Sequence, residues 1–372
     1  MHHLPQQIGR KIVGSLVAAA LALSLGACQT TEKKQAGVLA WPGPDDARFF
    51  WEQTIVSSSD VVAETQAQRL RRMATGETTS GHSLQKPWGV AAHDGRIYVT
   101  DTIARRVHVF DMRGKKYSMI GDSGVGSLAK PLDLSVDQSG KVYVCDNAGR
   151  RVVVFDADGK YLRSVGSAEI LQKPSSVSVN KDGSRIYVVD TGGVSSDKHQ
   201  VVIFDAAGNV VKKVGTRGSG PGEFNLPISV ATNSANGNFY VVDGGNFRVE
   251  SFTADGTYIK SFGDIGRNSG QFARPKAIAA DRNGNLYITD SAFANFQIFD
   301  PDGRLLLDVG GRGGEGLGGQ FMLPAGIAVD ATDGRVYVVD QFFPKVDVFR
   351  PVETAEGRTP RAGDTKAAEA KK

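Results

Sequence analysis

Between residues 98 and 110 the chain reads YVTDTIARRVHVF, which packs an aspartate, two adjacent arginines and a histidine into one short stretch. Asp101 and His108 are the residue types of a general base and the group that orients it, and Arg105 with Arg106 would clamp an anion. Those roles need a scaffold that holds the groups around a shared space. Whether such a scaffold exists is decided by the rest of the chain.

The first residues speak to location. Arg10 and Lys11 form a positive segment, IVGSLVAAALALSL is an apolar stretch too short for a stable membrane span, and LGAC ends it. Residues 1–27 therefore read as a cleaved export signal. The tetrad Leu25-Gly26-Ala27-Cys28 resembles the lipobox of bacterial lipoproteins. That resemblance implies acylation of Cys28, anchoring to a bacterial membrane, and with Gln29 next in line, delivery to the outer membrane. Residues 28–46 are then a polar, flexible tether, and residues 352–372 a disordered tail with almost no large apolar side chain.

Two cysteines are present, and lipidation of Cys28 leaves Cys145, in VYVCDN, as a small core residue with no disulfide partner. Loss of Arg10 and Lys11 with the signal lowers the formal net charge of +4 by two. A near-neutral exported chain is a poor nucleic-acid binder.

The interior is a repeat. Six variants of one phrase follow each other, among them KPWGVAAHDGRIYVTDTIARRVHVFDMRGKKYSMIG and LPAGIAVDATDGRVYVVDQFFPKVDVFRP. An aspartate closes the Tyr-rich strand of each, at 101, 146, 190, 243, 290 and 340. Each phrase predicts four short strands: a small apolar segment after a proline, a β-branched and aromatic strand, an alternating strand and a closing one. Turns such as HDGR and DADGK separate them. Four-strand units at this period predict an all-β, six-bladed β-propeller.

These phrases are similar to the NHL repeat over about residues 86–351. The third copy carries a longer TGGVSSDKHQ loop without the arginine of its neighbours, and the fifth is read with Phe296 at that arginine's position. The sixth stops after three strands, so ARFFWEQTIV, residues 47–56, is expected to pair with KVDVF and close the ring, giving a propeller over 47–351. A short helix is expected near 60–74 from a Ser/Asp start and a run of arginines, Arg69, Arg71 and Arg72, read as a solvated patch.

Strand alternation puts the tight turns on one face, and the Gly-rich linkers and Asp-to-Arg loops on the other. Phe224, Phe272 and Phe321 in the linkers are expected to plug between blades. The loop face carries the candidate binding residues Trp88, Arg105, Arg106, Arg150, Arg151, Phe247, Arg248, Phe293, Phe342, Phe343 and Lys345. Aromatics and arginines around a concave centre are the composition of a docking surface for a protein, peptide or glycan. For Arg106, Arg151 and Arg248 the favoured reading is structural, as partners of strand-end aspartates.

Some NHL-like propellers are hydrolases, lyases or lactonases with a metal at the channel mouth. The positions two residues after each proline, where such ligands would converge, read Gly89, Asp133, Ser176, Ser229, Ala277 and Gly326. One carboxylate among six is a poor cation cage. His82, His93, His108 and His199 are scattered over the fold. His108 stands where other copies have Val153, Val202, Glu250, Gln297 and Asp347, a variability that suits an exposed or inter-blade side chain. The sequence thus favours a monomeric binding or scaffold module with no cofactor, no metal and no catalytic residues, over a propeller hydrolase, lyase or lactonase with an atypical channel site.

Overall fold

The computed structural model describes residues 39–43, 45–76 and 81–352. The export signal, Cys28, most of the expected tether and nearly all of the expected tail lie outside these residues. Six antiparallel sheets form the propeller. Blade 1 comprises Pro87–His93, Arg96–Asp101, Arg106–Asp111 and Lys116–Ile120 from the channel outward. Blade 2 comprises Pro131–Val136, Val142–Asp146, Arg151–Phe155 and Tyr161–Val165. Blade 3 runs from Pro174–Val179 through Arg185–Asp190 and Gln200–Asp205 to Val210–Val214. Blade 4 runs from Pro227–Thr232 through Phe239–Asp243 and Arg248–Phe252 to Tyr258–Phe262. Blade 5 has Pro275–Ala280, Leu286–Asp290, Asn295–Phe299 and Leu305–Val309. Blade 6 has Pro324–Val329, Val336–Asp340 and Lys345–Pro351.

The missing fourth strand of blade 6 is Phe49–Ile55, which pairs antiparallel with Lys345–Pro351, Ile55 opposite Val346 and Phe49 opposite Pro351. The expected closure is therefore present. Beyond it lies a fifth strand that the sequence did not suggest: Ala40–Trp41, in the segment read as tether, pairs with Phe49–Phe50, and the Trp41 ring meets Phe349 edge-on at 5.3 Å. The Glu52–Arg335 ion pair, 2.6 Å, ties the closing strand to the second strand's approach.

The second strand of each blade is flanked by sheet neighbours in its own plane and by adjacent blades on both faces. That is why VYVCD, RIYVVD and FYVVD read as continuous apolar runs. The core is a ring of clusters between blades: one unites Tyr98 and Val107 of blade 1 with Leu134, Val142 and Phe155 of blade 2. Outer strands alternate, as in Lys116–Ile120, because one face meets solvent. The linkers seal the gaps. Phe224, Phe272 and Phe321 are fully buried plugs, and Leu128 and Leu171 do the same work in the shorter linkers. Each plug lies on the glycine that closes the preceding outer strand. At Gly121, Gly166, Gly215, Gly263 and Gly310 φ is positive, and a Cβ would stand 2.3 to 2.7 Å from the plug.

The helix spans Gln66–Thr75, with Thr65 and Gln68 forming its capping box and Gly76, at φ 70, ending it. The expected Ser/Asp start belongs instead to a separate 3-10 turn, Ser58–Asp60, in which the Asp60 carboxylate accepts from Val56 and Ser57 N–H. Arg72 pairs with Glu64 at 3.0 Å, and the helix buries no side chain.

Candidate functional site

The six strand-end aspartates are the fasteners of the loop face. All are fully buried. Asp101 accepts from the N–H groups of Gln85 and Lys86 in the incoming linker and of Ile103 and Ala104 in its own loop. Asp340 repeats the pattern with Met322, Leu323, Phe342 and Phe343. Asp146, Asp243 and Asp290 likewise join the linker to their own loop, whereas Asp190 accepts from the linker N–H groups of Gln172 and Lys173 and from the Gln200 side chain. Burial by itself would raise the Asp101 pKa, but the facing His108 ring and the backbone N–H groups outweigh it and bring it down to about 2.

His108 is not exposed. Its Nδ1 lies 2.7 Å from the Tyr117 hydroxyl and its Nε2 3.7 Å from Asp101, beyond hydrogen-bond length. All six positions of its series are buried. In blades 4, 5 and 6 the side chain there braces the preceding linker: Glu250, Gln297 and Asp347 accept the N–H of Gly222, Gly270 and Gly319. Variation in residue type at this position does not mark solvent access, since all six side chains are buried. Burial drives the Glu250 pKa up to about 7, against the pull of Arg248. His199, in the long third loop, is likewise buried and contacts the carbonyls of Phe224 and Gly193 at 3.2 and 3.0 Å.

The candidate binding residues divide. Arg151 and Arg248 pair with Asp146 and Asp243 at 3.4 and 3.1 Å, as the structural reading expects. Arg106 instead donates to the Ala104 carbonyl and faces the Met119 sulfur, because His108 occupies the space beside Asp101. Lys345 leaves the surface set: it is 1% exposed, and its Nζ donates to the Gly316 and Leu317 carbonyls and pairs with Asp347 at 2.7 Å. The register also corrects the fifth blade. Asn295, not Phe296, stands opposite Asp290 where blades 1, 2 and 4 have arginine, blade 3 has Gln200 and blade 6 has Lys345, and Phe296 is core.

What remains exposed is informative. Arg105 and Arg150 are exposed, and Phe342 is 56% exposed, edge-on to the half-buried Phe343 at 4.9 Å. Trp88, Phe247 and Phe293 are half-buried, Trp88 at the channel mouth. Arg105, Arg150, Phe247 and the buried Ala294 share a loop position, four residues after the aspartate, where φ is +52, +50, +56 and +59. A left-handed residue with a Cβ costs roughly 1–2 kcal/mol, and glycine would remove it. Sequence reading picked the first three by type and missed the backbone that makes them costly; their fixed offset from the aspartate was the available signal.

The loop face is also sorted by sector. Exposed Lys86, Lys130 and Lys173 precede the first three inner-strand prolines, next to Arg105 and Arg150. Ile103 on blade 1, 61% exposed, and Leu323 and Phe342 on neighbouring blade 6 are exposed apolar side chains of this face.

The channel is narrow on this face. Asp133 lines it there, its carboxylate receiving the Ser176 hydroxyl at 2.5 Å and the Leu134 N–H at 2.9 Å. Burial pushes its pKa from 3.8 up to about 6 despite those bonds. Among the described residues no three His, Cys, Asp or Glu side chains converge to hold a metal ion. Gly89, Ser229, Ala277 and Gly326 share the level of Asp133 and bring no second carboxylate or imidazole to it.

Comparison with known proteins agrees with the geometry. Part of the chain is 30% identical over 139 residues to Protein brain tumor of Drosophila melanogaster, 37% of this chain and 12% of that protein. It is 30% identical over 118 residues to human E3 ubiquitin-protein ligase TRIM32, 27% of this chain and 18% of that protein. The chain thus spans less than a fifth of either relative. Among solved structures it resembles a Bacteroides thetaiotaomicron protein of unknown function, with TM-score 0.57, 20% identity and 73% and 70% of the two chains covered. It also resembles a Xanthomonas campestris gluconolactonase, with TM-score 0.54, 18% identity and 72% and 86% covered. At these identities the structural likeness shows the fold alone. Residues 75–166 and 167–264 each match one family, and the chain belongs to that family, the 6-bladed beta-propellers.

Proposed function

We propose that the propeller is a docking module, carried to a bacterial membrane by acyl groups on Cys28, that grips an acidic protein segment on its loop face. The observation that carries this reading is the set of left-handed loop residues Arg105, Arg150 and Phe247. Arg105 and Arg150 hold large exposed side chains where glycine would be less strained. Stability conceded at a rigid surface position is a mark of a residue kept for an external partner. The cationic sector of Lys86, Lys130 and Lys173 complements an acidic chain. The apolar sector of Ile103, Leu323 and Phe342 offers an anchor for one apolar side chain of that chain.

A propeller hydrolase, lyase or lactonase would have to be built on Asp133, which has no second carboxylate at its level; docking is the better-supported reading. A photo-crosslinking residue at Ile103 in whole cells is expected to give discrete adducts, and one at Lys160, on the tight-turn face, none. With Cys28→Ser the Ile103 adducts are expected to move from the membrane to the soluble fraction. Equal adducts from both positions, or none from Ile103, would count against docking by this face.

A further inference from the structure

The closing strand Phe49–Ile55 does not lead straight into blade 1. Beyond its end Ser57 and Ser83 bridge, the Ser58 N–H donates to the His82 carbonyl at 3.0 Å, and Val61 and Leu84 join the buried cluster between blades 6 and 1. The chain between these contacts is an excursion pinned at its neck, and the helix Gln66–Thr75 is its exposed part. A helix of ten residues that buries no side chain is marginal in water, so a surface covering one of its sides would stabilise it.

The two sides of the helix differ. At about 100° per residue, Ala67, Leu70, Met73 and Ala74 fall within an arc of roughly 120°, interrupted only by Gln66 in the first turn. Leu70 is 60% exposed and Met73 72%. On the other side the polar groups are used locally: the Gln68 side chain accepts from the Thr65 N–H at 2.9 Å, Arg72 pairs with Glu64, and the Thr75 hydroxyl donates to the Arg71 carbonyl at 3.0 Å. Arg69 and Arg71 border the apolar arc, one at each edge, and both are exposed and outside any ion pair among the described residues. The helix contains no acidic residue.

Apolar side chains bordered by arginines on long aliphatic stems suit the boundary between acyl chains and phosphates, where the stems stay with the apolar layer and the guanidinium groups reach the headgroups. The path of the chain favours a membrane as the occupant. Traced back toward Cys28, the strand Ala40–Trp41 runs along the closing strand toward its Ile55 end. The Leu39 carbonyl accepts from the Trp51 N–H, and Trp51 is four residues, about 13 Å, from Ile55. Cys28 stands eleven positions before Leu39, a reach of at most about 40 Å. Acyl groups on Cys28 and the helix can therefore meet one surface.

We propose that the helix Gln66–Thr75 lies flat on an anionic phospholipid surface, with Leu70 and Met73 at the acyl boundary and Arg69 and Arg71 on lipid phosphates. The choice of a membrane rests on the reading of Cys28 as its anchor. An anchor at one point leaves the orientation of the propeller free. The helix supplies a second contact, which turns the seam of blades 6 and 1 toward the bilayer.

Amide exchange tests it on the mature chain, residues 28–372, coupled through Cys28 to a maleimide lipid in vesicles; Cys145 is buried and does not compete. On phosphatidylcholine vesicles that contain phosphatidylglycerol, exchange over residues 66–75 is expected to be about ten-fold slower than on phosphatidylcholine alone. Exchange in Val210–Val214, the outer strand of blade 3, is expected to be the same on both. Arg69→Gln with Arg71→Gln is expected to remove the difference between the two vesicles, and Leu70→Ser with Met73→Ser to remove the slowing itself. All four residues are exposed, and melting curves check the fold of the variants. No slowing on the anionic vesicles would overturn the proposal and leave this side of the helix to a protein partner. Equal slowing on both vesicles, or slowing undiminished in the arginine variant, would overturn it as well. The mass of Cys28 in the chain isolated from cells reads the anchor separately, so the chemical coupling lets either reading fail without the other.

Discussion

Deleting residues 39–55 is expected to abolish cooperative unfolding and to make the chain associate through its own sixth blade. The deletion removes Phe49, Phe50, Trp51 and Ile55, all buried. Burying a large apolar side chain contributes about 1.5–3 kcal/mol, so these four account for about 6–12 kcal/mol as an upper bound. That is comparable to the whole stability of a typical domain, about 5–15 kcal/mol. Ile55 contributes to the cluster that joins blade 6 to blade 1, with Ile97, Phe110 and Val346. Loss of the strand therefore opens the ring at its seam as well as shortening one sheet. Lys345–Pro351 would become an unpaired edge, a template for pairing with another chain. Ile55→Ala, a milder probe, is expected to cost about 2–4 kcal/mol. Denaturant unfolding and gel filtration check both, and a deletion variant that melts and elutes like the full chain would refute the closure as the source of ring stability.

Asp340→Ala is expected to cost about 3–4 kcal/mol and to free the Phe342–Phe343 loop. The Asp340 carboxylate is fully buried and serves the N–H groups of Met322 and Leu323 on one side and of Phe342 and Phe343 on the other. Alanine leaves these donors unsatisfied, each at a cost of about 1–3 kcal/mol less what water recovers. Asparagine keeps one oxygen and is expected to lose less. The second consequence separates this role from general destabilisation. Amide exchange at Phe342 and Phe343 is expected to accelerate more than exchange in blade 3, whose own clamp at Asp190 is untouched. Uniform acceleration over all blades would contradict the clamp.

These results bear on how much of the molecule the sequence makes visible. Blade number, strand count and closure by ARFFWEQTIV were legible because they follow from a repeat with one incomplete copy. The plugs Phe224, Phe272 and Phe321 were legible as single large apolar residues in Gly-rich linkers. The Ala40–Trp41 strand was not, since it lies before the repeat in an apolar run of only four residues, VLAW, cut off by Pro-Gly-Pro. For His108 the variable residue types left an exposed and an inter-blade position both open, and its burial excludes the exposed one. In blades 4, 5 and 6 three different side chains accept the same group, a linker glycine N–H. Lys345 was misread for want of alignment: five residues after Asp340, it stands in the arginine series. Its burial and its Asp347 partner depend on a linker that no local pattern reveals. The left-handed backbone at Arg105, Arg150 and Phe247 is a property of three-dimensional turn geometry. Only the recurrence of the loop length hinted at it.

The double substitution Arg105→Gly with Arg150→Gly tests the central claim most directly, because structure and function pull it in opposite directions. Relief of left-handed strain offsets the added freedom of the unfolded chain, so the variant is expected to be as stable as the unaltered protein or up to about 1 kcal/mol more stable. Its adducts from a photo-crosslinker at Ile103 are expected to fall at least ten-fold. A variant of unchanged or greater stability that yields the same adducts in the same amount would contradict docking through the loop face.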